Sequence, residues 1–120
     1  MNDKVLFLKQ NGIDVDTALT YLGDMETFDE ILKDFYDGLD NQMSELEQTK
    51  NNNDMPNYAI LVHALKSNCR SLGITDFASL AYEEEMQSKA GNSAFINEHY
   101  PKLAAKKEET KIVIGKYLGI

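Results

Sequence analysis

The segment AILVHALKSNCRSLG, residues 59–73, places one of the chain's two histidines among residues that suit a single kind of chemistry. An imidazole near neutrality is partly uncharged, and one ring nitrogen then offers a lone pair as a nucleophile. Lys66, three residues after His63, puts a cation where the oxygens of an incoming phosphoryl group would sit. Ser67, one helical turn from the histidine, and Ala64 beside it are small and leave room for a second protein to approach. Such a set on a helix suits a histidine that receives a phosphoryl group from a partner. The rest of the sequence offers no competing chemistry: there is no Ser/His/Asp set with recognisable spacing, no glycine-rich phosphate loop and no HExxH zinc motif. An enzyme using His63 as a general base therefore has little to support it. The other histidine, His99 in NEHYPKL, lies beside a proline near an expected helix start and reads as an ordinary surface or boundary residue.

This chemistry requires His63 to face outward. Projected at about 100° per residue, Leu61, Leu65, Cys69 and Leu72 form one apolar stripe, with Val62 at its edge. His63, Lys66, Ser67 and Arg70 fall on the opposite face. Ala59 and Ile60 also project off the core stripe, with Met55 nearby in the preceding loop. Together with Ala64 and Arg70 they make a candidate docking surface, an apolar patch with polar surroundings. Cys69 reads as a small buried hydrophobe.

Helical periodicity dominates the remaining sequence and strand signals are almost absent. Phe28, Ile31, Leu32, Phe35, Leu39, Met43 and Leu46 recur at spacings of three and four, with Asp24 as N-cap. Before them, DTALTYLG predicts a short helix capped by Asp16 and stopped by Gly23. QTKNNNDMP predicts a loop, with Pro56 in the first turn of the next helix, which ends at Gly73. Thr75 is placed as the cap of a further helix closed by Gly91. A last helix covers KLAAKKEETKIVIGKYL, and Pro101 marks its start or a kink. The expectation is an all-α fold: an antiparallel up-down four-helix bundle with a short additional N-terminal helix or helical turns.

A chain of 120 residues with 42% hydrophobic content suggests one domain, residues 1–120, with a single core. No apolar run approaches the roughly 20 residues of a membrane span, and MNDKVLFLKQNG lacks a signal-peptide pattern. A cytoplasmic protein is expected. The formal net charge of -8 disfavours nucleic acid and anionic membrane as partners. A single cysteine excludes an internal disulfide and, with two distant histidines, offers no zinc site; no metal ligands are assigned. A monomer is the default for a bundle that closes its own core.

At this point the sequence resembles the histidine-containing phosphotransfer (HPt) domain family. The family's central motif appears as HALKSN, followed by LG at Leu72–Gly73 and FASLA at Phe77–Ala81, and residues 12–39 look like its usual entry into the bundle. The resemblance implies that His63 takes a phosphoryl group from an aspartate of a response-regulator receiver domain, or of a hybrid histidine kinase, and passes it on. Such domains are carriers, not independent enzymes. They need no cofactor of their own, the magnesium ion being supplied by the receiver.

By position, His63 is the phosphoacceptor, Lys66 and Ser67 lie near the phosphoryl group, and Glu85 matches a residue that orients the histidine in some relatives. A carboxylate there would hold the proximal ring nitrogen protonated and leave the other as nucleophile. Two positions depart from the family's pattern. Ser67 stands where a glycine is usual, and Glu84 stands at a normally apolar position, projecting with Phe77, Leu80 and Ala81. A buried unpaired carboxylate is costly, so Glu84 is expected at the stripe's edge beside a lysine, or else the helix is shifted. The alternative to a phosphoryl carrier is a helical interaction module that binds a receiver or other signalling protein without carrying phosphate.

Overall fold

A computed structural model describes residues 3–120. Six helices follow in order: α1 (Asp3–Gln10), α2 (Val15–Leu22), α3 (Met25–Asn51), α4 (Met55–Ser71), α5 (Thr75–Lys89) and α6 (Ser93–Leu118). Three residues join α3 to α4, α4 to α5 and α5 to α6. Connections that short favour antiparallel neighbours. Contacts between consecutive long helices, together with contacts between α3 and α6, close the ring of a four-helix bundle, and α4 with α5 is its most extensive pair. A 27-residue helix is about 40 Å long, in keeping with the 46 Å long axis of the molecule. Among the described residues no helix is long and apolar enough to cross a membrane.

The expected α3 stripe is the core side of that helix: Phe28, Leu32, Phe35, Leu39, Met43 and Leu46 are buried, and Ile31 packs partly buried against them. Asp24 caps it by accepting from the Thr27 N–H. The cap of α2 is Asp14, not Asp16; its side chain accepts from both the Thr17 N–H and hydroxyl. Thr75 is no cap either. Ile74 holds that position without a side-chain hydrogen bond, and Thr75 is already helical. The loop after α3 shrinks to residues 52–54, because Gln48, Thr49, Lys50 and Asn51 continue the helix. Asp54 and Asn92 cap α4 and α6.

The start of α6 differs most from expectation. It begins at Ser93, so Pro101 and His99 both lie inside the helix. Proline lacks the N–H that would bond the carbonyl four residues back. That carbonyl belongs to Asn97, which is exposed, so water can take the place of the missing donor. The His99 ring stacks on Phe95 at 3.8 Å and its Nδ1 lies 3.0 Å from the Phe95 carbonyl oxygen, a local role on its own helix.

The α1–α2 segment is fastened to the α4–α5 turn. The Asp14 N–H donates to the Gly73 carbonyl at 2.8 Å, beside a bridge between Ile13 and Ile74. Gly73 has φ +72°, and a Cβ there would sit 2.2 Å from the Asp14 carbonyl oxygen. Gly73→Ala is expected to destabilise the fold by about 2 kcal/mol through combined backbone strain and contact. Urea unfolding checks this, and an unchanged midpoint would contradict it.

Candidate functional site

The buried face of α4 is Met55, Tyr58, Ala59, Val62, Leu65, Lys66 and Cys69. This stripe is rotated relative to the simple projection. Val62 lies fully in the core instead of at its edge, while Leu61 is only half-buried. Met55 belongs to the helix, not to the preceding loop. Ala59 and Lys66, expected on the outer face, are covered. The reason is tertiary: α5 lies along that flank of α4 and covers what an isolated helix would expose. Cys69 is buried as expected, and burial pushes its thiol well above the ordinary range.

His63 stays outward, its side chain 56% exposed. Its Nδ1 lies 2.8 Å from Oε2 of Glu85 on α5. The carboxylate accepts, so Nδ1 carries the proton and Nε2 keeps its lone pair. Among the described residues Nε2 has no hydrogen-bond partner. The Glu85 side chain is only 2% exposed and holds two further cations. Lys66 Nζ lies 2.6 Å from Oε1, and Lys89 Nζ lies 2.8 Å from Oε2. Burial pushes the Glu85 carboxyl up, but Lys66, Lys89 and His63 outweigh it and hold the group at about 2. A buried carboxylate needs such company, since removing it from water unpaired costs several kcal/mol.

Glu84 is buried as well, at 3% exposure, but it serves a different contact. The Tyr58 hydroxyl of α4 donates to Glu84 Oε1. The expectation of an edge position beside a lysine is thus corrected: Glu84 is buried, and a phenol takes the lysine's place. Consecutive helical residues point about 100° apart, so Glu85 reaches His63 while Glu84 enters the interior. Burial raises the Glu84 carboxyl from its ordinary 4.5 to about 7, against the opposing effects of Tyr58 and His99.

Beside this cluster α4 and α5 form an open groove of about 590 Å³, lined by Met55, Pro56, Ala59, Ile60, His63, Glu85, Ser88 and Lys89. The structure brings Ala59 and Ile60 to the groove with His63. Ala64 and Ser67 are exposed on the same helix outside it, and Arg70 extends over the Tyr82 ring at 5.5 Å. Lys66 also lies over that ring, at 5.4 Å, so it is enclosed between Glu85 and Tyr82. Lys89 is the residue that the sequence reading did not single out. Its spacing of four after Glu85, carboxylate first, is the favourable helical ion-pair order and was the available signal. Among the described residues no three histidine, cysteine or acidic side chains converge as metal ligands would.

A family model for the Hpt domain matches residues 30–109, two thirds of the chain, and the match spans the His63 and Glu85 helices. No curated protein and no solved structure matches the chain. With an all-helical bundle in place, the match shows that this chain belongs to the Hpt domain family, whose members serve phosphotransfer in two-component phosphorelays.

Proposed function

We propose that His63 accepts a phosphoryl group on Nε2 from the phosphoaspartate of a receiver domain and passes it to a second receiver. The observation that carries this reading is the Nδ1–Glu85 contact at 2.8 Å, on a side chain 56% exposed whose other ring nitrogen has no hydrogen-bond partner among the described residues. The Nε2 lone pair forms the new N–P bond as the P–O bond of the aspartyl phosphate breaks, and the receiver's carboxylate leaves. Nδ1 keeps its proton throughout, and the positive charge that develops on the ring faces a carboxylate held ionised by two lysines. Magnesium and most of the charge stabilisation come from the receiver, so the chain acts as a carrier and needs no metal or cofactor of its own.

The groove supplies a docking site next to the acceptor. Ile60, which lines it, is 66% exposed and with Met55, Pro56 and Ala59 gives the groove an apolar flank for a partner helix. Lys89 and Arg70 put positive charge at this face on a chain of net charge -8. A receiver's phosphorylation pocket, built from carboxylates, complements such a face. A cytoplasmic, monomeric carrier fits this role.

Incubation with a phosphorylated receiver and magnesium tests the proposal. Labelled phosphate is expected on the chain, stable in base and labile in acid, and peptide mapping is expected to place it on His63. If receivers bind but no phosphate transfers, the carrier reading fails in favour of an interaction module.

A further inference from the structure

The two lysines on Glu85 are not equivalent. Lys66 has a side chain 10% exposed, pairs with Oε1 and is enclosed by the Tyr82 ring. Lys89 has a side chain 57% exposed and pairs with Oε2, the oxygen that also accepts from His63 Nδ1. The Lys89 ammonium and the imidazole are therefore neighbours on one oxygen atom, and both line the same groove. A phosphoryl group on Nε2 brings about two negative charges into that groove. Lys89 can turn toward it at little cost, since its stem is already largely in water. Glu85 would then keep Lys66 and the Nδ1 proton. Moving Lys66 instead would uncover a buried ion pair, which is far more costly.

Resting on the reading of His63 as acceptor, we infer that Lys89 is the cation that contacts the phosphoryl oxygens of phosphorylated His63. Lys66 remains on Glu85 as a positioning residue. The ion pair seen between Lys89 and Glu85 is the unphosphorylated state of this arrangement.

The first test needs no receiver. Phosphoramidate transfers its phosphoryl group directly: Nε2 forms the N–P bond, the donor's P–N bond breaks and ammonia leaves. On the phosphorylated chain, the pH midpoint of the ³¹P resonance reports the second ionisation of the phosphoryl group. A cation in contact lowers that midpoint. Lys89→Met is expected to raise it by about half a unit or more, and Lys89→Arg to restore it. Lys66→Met is expected to lower the melting temperature and to move the midpoint less than Lys89→Met does. With a phosphorylated receiver as donor, Lys89→Met is expected to transfer roughly tenfold more slowly. An unmoved midpoint in Lys89→Met, or a rise in Lys66→Met alone, overturns the assignment even when His63 is phosphorylated. If the wild type takes no phosphate on His63 from either donor, the acceptor reading itself fails.

Discussion

His63→Gln is expected to lose all receiver-dependent labelling while retaining the wild-type helical bundle. The loss should be complete because glutamine offers no nucleophilic nitrogen: its amide lone pair is delocalised into the carbonyl. His99 is not set up to substitute, since its ring is stacked on Phe95 and its Nδ1 lies against the Phe95 carbonyl oxygen, not against a carboxylate. The fold should survive because the His63 side chain is 56% exposed and Glu85 keeps both lysines. A surface substitution of this kind changes stability by only about 0.5 kcal/mol. Transfer from a phosphorylated receiver, measured beside thermal unfolding by circular dichroism, separates the two effects. Residual labelling of the variant at the wild-type level would remove His63 from the reaction, whereas loss of both labelling and helix signal would reveal a structural role.

The second large effect concerns stability. Glu84 binds its proton more tightly in the folded chain, at about 7, than at its ordinary value of 4.5. The folded state is thus favoured in full below 4.5, and that advantage is lost as pH rises through 7. At about 1.4 kcal/mol per unit, the loss over this window is about 3 kcal/mol, an upper figure for so enclosed a group. Glu84→Gln keeps the shape and an acceptor for Tyr58 but cannot ionise. Its stability relative to wild type should be near zero or slightly negative in mild acid and grow to about 3 kcal/mol near pH 8. The groups facing Glu84 are Tyr58 from α4, His99, Tyr100 and Lys102 from α6, and Glu83 on its own helix. Because these remain in the variant, the difference between the two urea-unfolding profiles against pH isolates Glu84. Parallel profiles would show that the carboxyl does not titrate in this window.

Glu85 has the opposite sign. Its carboxyl is held near 2, so its contribution is present above 4.5 and fades as pH falls through 2. Two neighbouring glutamates thus respond to acid in opposite directions, because one meets lysines and the other meets a phenol in a largely apolar interior.

Much of this could be read along the chain. The α3 stripe, the helical bundle, buried Cys69 and outward His63 follow from apolar spacing, which is local and strong. The caps were less legible: Asp14 and Asp16 both suit a helix start, and only the backbone path shows which one meets the Thr17 N–H. The start of α6 was obscured by Pro101, which an exposed helix face tolerates more readily than the proline rule suggests.

Apolar spacing makes α4 amphipathic and puts an imidazole on its outer side. Which cations surround that imidazole's partner is set by helix packing. Where α5 comes to lie depends on the packing of all four long helices, and this placement covers Lys66, brings in Lys89 and sends Glu84 and Glu85 to different neighbours. Periodicity records which side of a helix is apolar; it carries no information about the side chains that a neighbouring helix brings to the boundary.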